Sequence, residues 1–344
     1  MGQIHLTDSE RVQALSRFGY LEPEARFLCL AALHGGYFLR RQAVAFLEPL
    51  GGSVTALVDK IFAHSHASAQ AFDRNVHLYH LCARPFYAAL GQGDNRNRRE
   101  RECSTIKQKL MGLDFVLAHP ANVFLATEDE KLQYFRSTLG LQESDLPART
   151  YYSPRTTPTI RFFVEKYPIF LPSGVSSQPA TGSPSFCFVD EGLTTSSHFE
   201  TFLGHYSRLF SALPDFQVVY VSDRTSAFPG AEKAIEKYVA RGANGAKSEV
   251  LAKRLASYFE LRSQYEARQF GGFDRAKLLQ LRNDHAEFLD AKHNRYYQLW
   301  KAGGDVAIQQ ILAPESKRRP NLAVSFATYL LDHNYDFLGT LTSR

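Results

Sequence analysis

The chain has 344 residues, 44% hydrophobic and 22% charged, which excludes a disordered, collagen-like or coiled-coil protein and allows two domains with cores of their own. A net charge of +5 with a pI near 8.9 leans towards an acidic partner but is too diluted to name one. Cys29, Cys82, Cys103 and Cys187 form no C-x-x-C pair, so they read as free thiols of a reducing compartment. Residues 1–11 carry no apolar leader core and no stretch approaches 18 apolar residues, which points to a cytoplasmic protein without membrane contact.

The first third reads as helices followed by a hairpin. Phe27, Leu28, Leu30 and Ala31 recur at helical spacing over 22–32, and His34-Gly35-Gly36 supplies a helix stop. Residues 38–47 form a second amphipathic segment, broken by Pro49-Leu50-Gly51-Gly52. Ser53 is a good N-cap for a third helix over 53–64, with Val54, Leu57, Val58, Ile61 and Phe62 as its apolar positions. The stretch 71–89 has a turn signal at Asp73-Arg74-Asn75 and then Val76, Leu78, Leu81 and Arg84-Pro85-Phe86-Tyr87, which suits a β-ribbon. Helix, helix, helix, ribbon is a winged-helix order, and 1–95 is assigned as a winged-helix DNA-binding domain.

Arg96, Arg98, Arg99 and Arg101 make the steepest charge feature, at the start of a linker helix over 96–120 that Pro120 ends. An α/β domain follows over 121–230: strands at 123–125, 160–164, 167–171, 186–189 and 217–221, helices at 128–139 and 197–213, and a loose Ser/Gly/Pro stretch at 172–184. Two apolar stripes, 251–265 and 278–300, flank Gly271-Gly272 and predict a helical hairpin within a C-terminal helical region, 231–344. Overall the fold class is α+β.

A winged helix reads base edges with one exposed helix while Arg and Lys around it hold phosphates. Here Arg40, Arg41 and Gln42 open the second helix, Ser53, Thr55 and Lys60 lie on the third, and Arg74, Asn75 and His77 fall at the wing. With Arg96, Arg98, Arg99 and Arg101 they are the candidate contacts to double-stranded DNA; the bland counterpart is a protein-interaction module with solvated charges. His64, His66, His77 and His80 lack the companions of a metal site, so they read as polar surface and no metal or cofactor is expected. No P-loop, dinucleotide fingerprint or nucleophile elbow is present.

The strand order with acidic ends is that of PD-(D/E)XK nucleases, in which carboxylates hold magnesium and a Lys orients water. Glu165, Asp190 and Glu191 are the candidates, yet Ile169 stands where an Asp would follow Pro168, and no Lys lies two residues after Asp190 or Glu191. A strand-end turn accounts for these acids without catalysis.

The segments EARFLCLAALHGGYFLRRQ, IKQKLMGLDFVLAHP, FVDEG and VVYVS, with the ribbon between them, resemble the replication-relaxation family and related winged-helix proteins of plasmids and integrative conjugative elements. The resemblance covers about residues 20–225 and is one of layout. It implies DNA binding in replication, transfer or transcription control of a mobile genetic element, with a nuclease-like second domain. The departures at Ile169 and after Asp190 count against cleavage. The resulting expectation is a DNA-binding accessory protein rather than an enzyme, whose residues 250–300 self-associate or recruit a partner. Its alternatives are a magnesium-dependent nuclease and a protein-interaction scaffold.

Overall fold

Thr7 and Glu10 cap each other's backbone at the start of α1 (Asp8–Ser16), an arrangement that satisfies two otherwise orphaned N–H groups. From there the computed structural model describes residues 6–73, 76–153, 156–164, 167–172, 183–192, 197–240, 245–312 and 323–339. It is a mixed α+β architecture.

The chain continues with α2 (Glu22–His34), β1 (Tyr37–Leu39), α3 (Arg40–Leu47), α4 (Val54–Ala63), β2 (Ala67–Asp73) and β3 (Val76–Leu81). Ser53 caps α4 as its sequence predicts, accepting from the Ala56 N–H at 3.3 Å. The three strands pair antiparallel in the order β1-β3-β2. Leu28, Phe38, Leu47, Leu57 and Ile61 meet in one core, each shielded from water. Each such side chain contributes roughly 1.5–3 kcal/mol of burial.

The ribbon is shorter than expected, because residues 84–89 are a helix, α5 (Arg84–Ala89). Pro85 occupies the first turn, where its missing N–H costs nothing, while Phe86 and Tyr87 fill the core. The basic run makes one 3-10 turn, Arg96–Arg98, and α6 (Cys103–Ala118) begins only after it. Nor is α6 a linker. Leu113 joins the N-terminal core, whereas Ile106, Leu110, Met111 and Phe115 pack with Phe170, Val189, Val219 and Val221 of a second sheet. A helix apolar on most sides is buried on most sides.

That sheet contains β4 (Val123–Phe124), β7 (Ile169–Leu171), β8 (Ser185–Asp190), β9 (Asp215–Ser222) and β10 (Ala323–Leu330), in the order β10-β9-β8-β7-β4. β4, β7 and β8 run antiparallel in turn, and β8, β9 and β10 are parallel. α7 (Glu128–Leu132) continues directly into a π-helical segment, Gln133–Thr138, so the helix expected over 128–139 is present with its second half wound wider. β5 (Ala148–Ser153) and β6 (Thr156–Phe162) form a separate two-stranded ribbon. The helix expected over 197–213 is broken at Tyr206 into α8 (Ser197–His205) and α9 (Ser207–Ala212).

Two compact units emerge. One comprises Met1–Ile235 and Ala323–Arg344, the other Glu236–Leu322. α10 (Phe228–Ala240) runs across their sequence boundary. The second unit holds α11 (Gly245–Glu266), α12 (Arg275–Glu287) and α13 (Ala291–Leu312) around Leu255, Tyr258, Phe259 and Tyr297. Among the described residues it is more than a hairpin, since the apolar stripe over 278–300 is divided between α12 and α13, and α13 is itself kinked at Gly304, where φ is +63°. The C-terminal region is also not helical throughout: β10 returns to pair with β9, followed by α14 (Asp336–Gly339). Residues 236–322 are thus inserted between two adjacent parallel strands.

Candidate nucleic-acid interface

The pattern RNRRER folds around its asparagine. Asn97 is buried, and its amide donates to the carbonyls of Ala32 and Leu33 at 2.8 and 3.2 Å while accepting from Lys109 Nζ at 2.9 Å. Gly36 makes this possible: its φ is +81°, and a Cβ there would come within 2.6 Å of the Asn97 carbonyl oxygen. The His34-Gly35-Gly36 stop is therefore also a close-approach site. His80 bonds the same carbonyl at 2.9 Å through Nε2 and stacks on Tyr37 at 4.1 Å; the Tyr37 hydroxyl accepts from the Arg101 N–H at 3.0 Å. Backbone tethers fix the run, and the flanking arginines are displayed from it.

The arginines are not equivalent. Arg98 donates to the carbonyls of Cys82 and Gly93 at 3.3 and 2.9 Å, and so partly holds the loop. Arg96 bonds the Tyr151 hydroxyl at 3.1 Å and lies over its ring at 4.6 Å. Arg101 reaches the Arg96 carbonyl at 3.2 Å. Arg99 is exposed. A cleft of about 510 Å³ opens here, lined by Arg96, Arg98, Arg99, Lys131 and by Arg161 and Phe162 of β6, together with the acids Asp94 and Glu128. A smaller one of about 180 Å³ adjoins it and includes Arg101 and Lys109.

The remaining candidates divide. Arg41 pairs with Asp114 at 2.6 Å, and Gln42, fully buried, donates to the Leu110 carbonyl and to Asp114, both at 2.9 Å. Gln42 also caps α3 by accepting from the Leu39 N–H at 2.9 Å. Both residues hold α3 against α6, which removes Gln42 from any exposed face. Lys60 pairs at 2.6 Å with buried Glu24, whose charge needs a partner. Arg40 donates to Thr55 at 2.9 Å on an exposed face, Ser53 is consumed as a cap, and His77 is half-buried near Tyr79. The outer face of α4 presents Thr55, Asp59 and Phe62, a poor match to phosphate. Arg74, Asn75 and Glu165 lie outside the described residues.

Among the paired histidines, His66 is buried and bonds the Tyr20 hydroxyl at 2.8 Å. Burial, helped by neighbouring His64, lowers its pKa to about 4. Burial and then Lys131 do the same for His34, also to about 4. No group of three His, Cys, Asp or Glu side chains is arranged as a metal site among the described residues.

Asp190 ends β8 and accepts from the Tyr220 hydroxyl at 2.7 Å and the Gly192 N–H at 2.9 Å. Glu191 is buried. At the end of neighbouring β9, Asp223 pairs with Lys107 of α6 at 2.7 Å, both almost completely buried. Sequence reasoning missed this pair, whose members lie far apart in the chain. Gly192 has φ +70°, and a Cβ would overlap Arg224 Nη2 at 1.2 Å.

The distribution of charge also differs from expectation. Residues 236–322 contain 16 Lys and Arg against 10 Asp and Glu, a net +6, which leaves −1 for the rest of the chain. The basic run is thus a local concentration within a nearly neutral unit. Comparison with family models, curated proteins and solved structures finds no match to this chain. Among the described residues, no helix is long and apolar enough to cross a membrane.

Proposed function

We propose that this is a DNA-binding protein whose N-terminal module is a winged helix and whose grip on phosphate comes from arginines 96, 98, 99 and 101. The order α2-β1-α3-α4-β2-β3 with a β1-β3-β2 sheet supports the winged-helix reading. The observation that carries the function is the arginine run, whose backbone is held by Tyr37, His80 and Asn97 while Arg99 stays exposed. Fixed cations beside a phosphate release counterions, and binding then weakens with salt. With the outer face of α4 poor in cations, sequence readout is indirect and affinity modest. On this reading the protein serves replication, transfer or transcription control of a mobile element, as its resemblance to replication-relaxation proteins implies. The test is a gel shift on duplex DNA at low salt. Binding should fall several-fold in Arg99→Ala and further in Arg99→Ala/Arg101→Ala; no binding by the unaltered protein would sink the reading.

A second reading is a magnesium-dependent nuclease. It is favoured by an αβββαβ core, α6-β4-β7-β8-α8-β9, with α7 and the β5–β6 ribbon intervening after β4 and α9 after α8, and by Asp190 and Asp223 at the ends of adjacent parallel strands. Against it, both carboxylates already have internal partners. Plasmid incubated with protein and Mg²⁺ or Mn²⁺ decides: cleavage lost in Asp190→Ala supports this reading, and intact plasmid rejects it.

A further inference from the structure

We infer that the cleft between the arginine run and the β5–β6 ribbon is a binding site for single-stranded nucleic acid. This deepens the nucleic-acid reading above and rests on it. The first observation is size. A cleft of about 510 Å³ adjoining one of about 180 Å³ is in the range that encloses small ligands, not one that seats a double helix. Duplex readers instead push a convex helix or ribbon into a groove about 12 Å wide. A single strand can enter a concave cleft because its sugar–phosphate chain bends and its bases are free to turn.

The second observation is the ribbon itself. Arg149 and Arg161 are directly opposed in the β5–β6 register, so they project to one face. Two arginines directly opposed concentrate positive charge on that face of the ribbon. A phosphate beside them meets two cations at once. Among the described residues, the carboxylate of Glu128 lies 3.8 Å from Arg161 and also accepts the Phe162 N–H at 2.9 Å.

The third is the pairing of Arg96 with Tyr151. The guanidinium over the ring ties the run to the ribbon and sets a partly exposed aromatic beside the cations. Proteins that hold single strands combine these two features: cations that track the backbone and aromatic faces on which bases stack. Arg99 and Arg161, both lining the cleft, then act on phosphates, and Tyr151 takes a base once Arg96 swings onto a phosphate.

The experiment compares a fluorescently labelled 20-nucleotide oligo(dT) with a 20-base-pair duplex, by anisotropy, using the full chain at low salt. Oligo(dT) should bind. Arg161→Ala and Arg99→Ala should each weaken it at least threefold, and Tyr151→Ala by about five- to a hundredfold, the span for one lost stacking contact. Arg26→Ala, on the exposed face of α2 and not among the cleft's lining residues, should leave oligo(dT) affinity unchanged. Arg161→Lys, with its charge kept, should retain most binding and guards against a folding defect in the alanine variant. Duplex binding without oligo(dT) binding, or oligo(dT) binding indifferent to Arg161→Ala and Tyr151→Ala, overturns the cleft assignment while the duplex-binding reading stands or falls on its own gel shift. Absence of binding to both probes overturns the two together.

Discussion

Arg41 on α3 and Asp114 on α6 are joined by two hydrogen bonds, Nη1 to Oδ1 at 2.8 Å and Nη2 to Oδ2 at 2.6 Å. Gln42 and the Tyr335 hydroxyl donate to the same carboxylate, and Arg41 lies over the Tyr335 ring at 5.3 Å. Three remote segments of the chain therefore converge on Asp114: the N-terminal module, the central helix and the C-terminal tail.

Replacing Asp114 with Ala leaves a half-buried guanidinium and a buried amide short of an acceptor. Because Arg41 is partly exposed, the expected loss is about 2 kcal/mol rather than the larger cost of a fully buried broken pair. Arg40→Ala, at the surface next door, should change stability by less than about 0.5 kcal/mol. Urea unfolding of the two variants checks the contrast, and equal midpoints would show that the clasp contributes nothing.

What the sequence made legible follows from how local each signal is. Ser53 and the apolar spacing after it define α4 with no help from the rest of the protein, and the apolar runs of β8 and β9 read as strands, which the structure pairs in parallel. Residues 84–87 were misread because an apolar pair after a turn fits strand or helix, and only Pro85 at a first turn favours the helix. β10 was missed since its pairing with β9 lies across an 87-residue insert. Of the candidate site, the arginines were visible but their tether was not. Asn97 looks like one more polar residue of a basic run until α2 and α6 bring carbonyls and Lys109 to its side chain.

Stability should depend on pH through His34 and His66. Each is held at about 4 in the folded chain against an ordinary 6.5. Between those values the unfolded chain binds more protons than the folded one, so stability is full above pH 6.5 and declines as the pH falls towards 4. The loss is roughly 1–3 kcal/mol for each imidazole. Urea midpoints at pH 7, 5.5 and 4.5 should fall in that order, and His66→Gln, neutral at every pH, should flatten the decline. An unchanged slope in that variant would remove His66 from the account.

The two units carry separate reporters. Trp300 is the one tryptophan of the chain and belongs to the inserted unit, where it faces Phe259 at 6.0 Å and donates to Asp305 at 2.7 Å. All four cysteines belong to the other unit, and Cys29 and Cys187 are buried there. Phe259→Ala empties part of the inserted unit's core and should cost about 3–5 kcal/mol. Tryptophan fluorescence should then report unfolding at lower urea, while protection of the buried thiols from labelling stays as in the unaltered protein. A parallel shift of both probes would show that the units unfold as one.

Lys107 and Asp223 provide the sharpest test of the sheet's carboxyl edge. Their side chains are 6% and 2% exposed, so removing one partner leaves the other charge without water to solvate it. Among the described residues, Oδ1 of Asp223 has no hydrogen bond, and Arg224 approaches it at 3.4 Å, which gives the carboxylate little to fall back on. Lys107→Met should therefore destabilise by about 3–5 kcal/mol, the usual result of breaking a buried pair. Asp223→Leu added to it removes the stranded charge and should recover most of that loss, since two apolar side chains of similar size replace a buried ion pair at small net cost. The urea midpoints of the single and double variants separate the possibilities. If Lys107→Met/Asp223→Leu is no more stable than Lys107→Met, the pair is not what holds α6 to the end of β9, and apolar packing of Ile106 and Leu110 against Val189 and Val221 must carry that contact instead.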